Sequence, residues 1–132
     1  MKITNLTAIQ PATPGSPQDW RTQLGQIAVT VETDEGITGV GVGGGGAAGI
    51  HVIETVLRDL LVGCQLNDAR ELHEQMVEHT AFYGRKGIAV MAVSGVDLAL
   101  WDAVGKAQQQ PIAKLLNPEA DLDRTFPTYV TV

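Results

Sequence analysis

The sequence predicts an α+β domain in which a three-stranded antiparallel sheet is followed by a bundle of helices. Three observations carry this. Residues 24–43 alternate apolar and polar side chains on both sides of the short turn Asp34-Glu35-Gly36, the pattern of a β-hairpin. From Ile50 onward the apolar residues recur at helical intervals instead. The stretch from Ala92 to Leu116 is apolar on most sides, and Gly95, Ala99, Ala103 and Ala107 recur every four positions, one row of small side chains along a helix. Such a helix is buried between layers and lets a neighbouring backbone come close.

Taken in order, Lys2 to Gln10 reads as a strand, with Ile3, Leu6, Ala8 and Ile9 apolar and a break in alternation that indicates a bulge. Ala12 to Gln23 carries Pro14, Gly15, Ser16 and Pro17, which is loop chemistry. In the hairpin, Ile27, Val29 and Val31 share one face and Ile37 to Val42 runs back, so the sheet is solvated on its other face. Gly43 to Gly46 form an uninterrupted glycine run. Ile50, Ile53, Leu57, Leu60 and Leu61 then define a helix that Gly63 stops. Asn67 or Asp68 caps the next helix, Glu71 follows Asp68 at capping-box spacing, and Ala69, Leu72 and Met76 line its inner side. Phe82 to Gly87 is a tight basic connection into the long helix. Pro111 permits a further short turn from Ile112 to Leu116, with Asn117 suited to a left-handed C-cap. Arg124 to Val132 is β-rich.

The totals bound the function. A chain of 132 residues is one domain's worth, and a net charge of -6 argues against non-specific nucleic-acid binding and anionic membrane surfaces. The single Cys64 has no internal partner and reads as a small buried hydrophobe, which fits a reducing compartment. The N-terminus lacks the apolar run of a signal peptide, and no stretch is expected to reach the roughly 20 apolar residues that cross a bilayer. A cytoplasmic protein is expected.

The candidate chemistry is sparse. Gly39 to Gly44 satisfies G-x-G-x-x-G, but it begins inside a hairpin strand and not at a strand-to-helix crossover, so a dinucleotide site is not expected. His73-Glu74 opens like a zinc motif, yet Val77 stands where the second histidine belongs, and His79 falls on another face. Asp97 and Asp102 turn away from one another on a helix and read as structural, pairing with backbone or with Lys106. Glu71, Glu74 and Glu78 form a solvated face. Trp20, Arg21, Tyr83 and Arg85 are the candidates for ligand contact, because they combine aromatic and cationic character on loops.

Ala92, Ser94 to Asp97, Ala99-Leu100, Asp102-Ala103, Gly105-Lys106, Pro111-Ile112 and Leu115-Leu116 resemble the first signature of the mandelate racemase and muconate-lactonising branch of the enolase superfamily. Asn117 stands where that pattern closes with glycine. The signature marks a buried helix and holds no catalytic residue. The resemblance implies an enolase N-terminal capping domain over residues 1–117, with 118–132 a linker and the first strand of a TIM-like barrel. It implies that segments near Thr13–Gln23 and Gly41–Gly49 close over substrate, with Gly43, Gly44, Gly45 and Gly46 a flexible lid and Trp20 or Arg21 reading the ligand. The connection Tyr83-Gly-Arg-Lys-Gly is similar to one in acid-sugar dehydratases of the family.

In that family the reaction is proton abstraction α to a carboxylate with Mg²⁺ stabilising the enediolate. Its bases and metal ligands lie on barrel strands, so no catalytic residue, no metal ligand and no bound Mg²⁺ is expected in these 132 residues. The implied partners of the full enzyme are a carboxylate-bearing acid sugar and further copies of itself, with no nucleic acid and no membrane. Two readings follow: the capping domain of a dehydratase, racemase or cycloisomerase, inactive by itself, or a free-standing capping fold used in binding or assembly.

Overall fold

The computed structural model describes residues 1–11 and 25–129. Strands β1 (Ile3–Ile9), β2 (Ile27–Thr33) and β3 (Thr38–Gly43) form an antiparallel sheet in the order β1-β2-β3. A register shift between Ile3 and Asn5 supplies the expected bulge. Gly36, at φ 77°, takes the left-handed turn position that other residues resist. Helix α1 (Gly46–Val52), one π-turn (Ile53–Leu57) and α2 (Arg58–Leu61) run on as one helical segment. Helix α3 (Ala69–Thr80) leads through a 3₁₀ turn, Ala81–Tyr83, into the long α4 (Ile88–Gln108), and α5 (Ile112–Leu116) follows.

The core forms where the sheet's inner face meets the helices. Ile3, Leu6, Ile27, Val29 and Val31 pack with Ile53, Leu57, Leu61, Met76, Val96 and Leu100, all fully buried. Asp68 caps α3 by accepting the Arg70 N–H at 2.9 Å. The Arg70 guanidinium lies 5.2 Å from the Trp101 ring centroid, a cation–π contact that joins α3 to α4. Cys64 is half-buried and its thiol donates to the Leu60 carbonyl at 3.2 Å.

In β3 the usual alternation is inverted. Gly39 and Gly41 face the core, whereas Val40 and Val42 are exposed on the outer face. The reason is α4, which lies directly on the strand. A Cβ at Gly39 would overlap the Ala99 carbonyl, one at Gly41 the Gly95 carbonyl, and one at Gly95 would stand 2.9 Å from Gly43 Cα. The small row of the helix is thus seated on a small row of the strand. Ala107, the last member of that row, is exposed beyond it.

Four sequence expectations need correction. The first long helix begins at Gly46 and not near Ile50, so helical structure starts inside the glycine run. Helix α4 begins at Ile88, directly after the Phe82–Gly87 connection, but against expectation it is long and apolar enough to cross a bilayer by length and composition: its 21 residues include an 18-residue window of mean hydropathy 1.6. Here that apolarity serves the core, with Ala92, Val96, Ala99, Leu100 and Ala103 fully buried. The left-handed C-cap falls on Gln109 (φ 52°), whereas Asn117 is extended and uses its side-chain carbonyl to accept the Glu119 N–H at 3.1 Å. Residues 121–129 form no strand, and Phe126 and Tyr129 are exposed. A strand there has nothing to pair with among the described residues.

Candidate functional site

Ile27 of β2 pairs with Gly43 of β3, and Ile9 of β1 pairs with Ala28, so all three strands reach the same end of the sheet. There Gly43 closes β3, Gly44 and Gly45 form the link, and Gly46 opens α1. Gly45 and Gly46 have φ values of 94° and 52° and so use backbone space that glycine alone enters freely. The Gly46 N–H donates to the Gly25 carbonyl at 3.0 Å, and the Gly44 N–H reaches the Met91 carbonyl at 3.4 Å. The glycine run is therefore held at both ends, by the sheet and by the helix, with the Gly44–Gly45 link between them.

The connection from α3 to α4 lies at the same end. A Cβ at Gly45 would meet Ile88, the first residue of α4, at 3.2 Å. Gly84 (φ 100°) and Gly87 (φ 82°) bracket Arg85 and Lys86 and turn the chain into α4. Phe82 and Tyr83 project from the 3₁₀ turn, 96% and 72% exposed, with their rings edge to face at 6.0 Å. Tyr83 and Arg85 line different grooves. Tyr83 joins His51, Val56, Lys86 and Ile88 around a groove of about 430 Å³. Arg85 joins Val77, Val90, Val93 and Ser94 around a larger one, about 740 Å³, between α3 and α4. Trp20 and Arg21, with the rest of the Thr13–Gln23 segment, lie outside the described residues.

The larger groove contains a pair that sequence spacing did not reveal. His73 Nδ1 lies 3.2 Å from Asp97 Oδ1 and links α3 to α4. Both atoms are shielded from solvent and face each other across the contact between the two helices. Burial raises the Asp97 pKa, while the adjacent His73 pulls it down less strongly. Asp97 was expected to pair with backbone or Lys106; it meets His73 because the two helices cross there. Asp102 does pair as expected: Oδ2 accepts Lys106 Nζ and the Val40 N–H, both at 2.7 Å.

Chemically, these grooves offer cations, the imidazoles of His51 and His73, carboxylates and aromatic surface for recognition. Among the described residues no three His, Cys, Asp or Glu side chains are grouped to hold a metal. The described residues do not fit a Mg²⁺ site.

The chain matches the family described as "Mandelate racemase / muconate lactonizing enzyme, N-terminal domain" over residues 13–117. It is 41% identical over 93 residues to L-rhamnonate dehydratase of Saccharopolyspora erythraea, covering 70% of this chain and 24% of that protein. A candidate L-rhamnonate dehydratase of Caldivirga maquilingensis is 36% identical over 125 residues, or 94% of this chain and 31% of the relative. The crystal structure of L-rhamnonate dehydratase from Gibberella zeae superposes with a TM-score of 0.72 at 28% identity, covering 86% of this chain and 34% of that one. A mandelate racemase/muconate lactonizing protein from Paracoccus denitrificans superposes at 0.74 with 30% identity, covering 87% of this chain and 30% of that one. The chain spans about a quarter to a third of the length of these proteins. Signature helix, sheet order and superposition agree: the chain belongs to the mandelate racemase and muconate lactonizing enzyme family of the enolase superfamily, as its N-terminal domain.

Proposed function

We propose that this domain caps the active site of an acid-sugar dehydratase acting on a rhamnonate-like carboxylate. The observation that carries the reading is the 41% identity to an L-rhamnonate dehydratase. On this reading residues 1–117 are the cap and 118–132 lead into the first barrel strand. The proton abstraction, and the Mg²⁺ that stabilises the resulting enediolate, belong to the remaining length of the enzyme. A Gibberella zeae relative is described in complex with Mg. These 132 residues by themselves turn over nothing.

The cap's own part is to cover the substrate and exclude water. The segment from Thr13 to Gln23 and the one from Gly41 to Gly49 act together as lids. Support comes from their attachment: the chain leaves β1 and enters β2 beside the Gly44–Gly45 link, tied by the Gly46-to-Gly25 hydrogen bond. Trp20 and Arg21 read the ligand from the first lid, and Tyr83 and Arg85 flank the second. The test replaces the corresponding segment of the Saccharopolyspora erythraea enzyme with this chain. Dehydration of L-rhamnonate to a 2-keto-3-deoxy acid by the folded chimera is expected, and none by the 132 residues alone with Mg²⁺. A folded but inactive chimera, or turnover by the isolated chain, overturns the reading.

A second reading, a capping fold used for binding or homo-oligomeric assembly, is favoured by the exposed apolar side chains Val40, Val42, Phe82 and Leu98. It predicts a cooperatively folded dimer or larger species in sedimentation. A monomer that melts without cooperativity counts against it.

A further inference from the structure

We propose that Asp102 and Lys106 form a guard on the outer edge of β3 that keeps the strand from accepting a strand of a second copy of this chain. Among the described residues β3 ends the sheet, so one row of its backbone groups has no strand beside it. Two neighbouring members of that row are taken by side chains from α4. The Val40 N–H donates to Asp102 Oδ2 at 2.7 Å, and the Thr38 carbonyl accepts from Lys106 Nζ at 2.8 Å. The two side chains are themselves paired at 2.7 Å, so each holds the other in place. A donor and an acceptor two residues apart on one edge are the groups an added strand would bond.

The strand otherwise has little protection. Its sequence, Thr38 to Gly43, has no charge and no proline, and its register against β2 is unbroken. Val40 and Val42 add exposed β-branched side chains beside that edge. The opposite edge is closed in another way. β1 is bulged, exchanges backbone hydrogen bonds with residues 63 and 64, and has its Leu6 carbonyl bonded by Arg58 Nε at 2.8 Å. At Ile3 the cover of β1 is backbone and at Leu6 it is the Arg58 side chain, whereas over Thr38 and Val40 the cover of β3 is one ion pair.

The test compares the 132-residue chain with its Asp102→Ala and Lys106→Met variants; methionine keeps the stem that lies along α4, so folding is preserved should the first variant not fold. Two readouts are taken, exchange of the Val40 amide by NMR and mass distribution by sedimentation. Exchange at Val40 at least tenfold faster, with a concentration-dependent shift to larger species than the unaltered chain forms, is expected. Adding Val42→Lys, which places a charge beside the open edge, reverses the shift. Unchanged exchange, faster exchange without a mass shift, or a shift that Val42→Lys leaves in place overturns the proposal.

Discussion

Replacing Gly41 with alanine tests whether α4 rests on the backbone of β3. The added methyl would overlap the Gly95 carbonyl and stand 2.7 Å from the Ala99 nitrogen and 3.0 Å from Leu98 Cβ. The first two are backbone atoms inside a helix that the sheet holds in place, so they cannot turn aside as a flexible side chain would. Overpacking of this kind costs about 3 kcal/mol. The loss of chain freedom in the unfolded state returns about 0.5–1 kcal/mol. A net destabilisation of about 2 kcal/mol follows, tolerable for a domain of ordinary stability. In urea, with a slope of about 2 kcal/mol per molar, the midpoint falls by about 1 M while the slope is unchanged. Gly44→Ala is the control from the same run, since its methyl meets only the flexible Met91 side chain, at 3.4 Å and beyond. It is expected to stay within about 0.5 kcal/mol of the unaltered chain. If Gly41→Ala is as mild as Gly44→Ala, the helix is not seated on the strand and the reasoning fails.

Removing the Asp68 cap with alanine costs about 1 kcal/mol by urea titration, since the Arg70 N–H loses its acceptor. Leu100→Ala, at a fully buried position of α4, costs about 2–5 kcal/mol by the same measurement. Gln109→Gly raises the melting temperature, because the left-handed residue after α4 is not a glycine at present; about 1 kcal/mol is the upper limit of the gain. Asp97→Asn alters the pH profile: burial holds the folded pKa above the ordinary 3.8, so the native state binds that proton more tightly and stability declines as pH rises through this window. The asparagine chain lacks that decline, and at pH 7 it is as stable as the aspartate chain or more so, measured by urea titration from pH 3 to 7. A profile of the opposite slope would show that His73, and not burial, governs the pair.

The elements whose hydrophobic period is unambiguous were legible. Ile27, Val29 and Val31 fixed the face of β2, Ile53, Leu57 and Leu61 that of the first helical segment, and Ala69, Leu72 and Met76 that of α3. Boundaries failed where propensity and context disagree. Glycine is a poor helix former, so nothing local marks Gly46 as a helix start; its place is set by the sheet, through Gly25. His73 and Asp97 meet only because two helices cross, a relation no spacing along the chain encodes. The site candidates divide similarly: Tyr83 and Arg85 are near neighbours in sequence, yet the turn between them sends their side chains to separate grooves.

One relation in the sequence does anticipate the packing. Alternate residues of a strand are about 6.7 Å apart and every fourth residue of a helix about 6 Å apart, so two small rows can stay in step over two or three repeats. Gly39, Gly41 and Gly43 form one such row, and Gly95, Ala99 and Ala103 form the other, running in the opposite direction. Each explains the other: glycines that look like a nucleotide fingerprint, or like loop, are the bed for a helix whose small residues carry the family signature. The direct contact also has a positional effect. It brings the end of β3 against the first turns of α4, and so sets the Gly44–Gly45 link beside Ile88 and the Tyr83–Gly87 connection. A bulky residue in either row would separate the helix from the strand and move those two segments apart. The signature helix thus acts through position, holding together the two segments to which the proposed ligand-covering role is assigned.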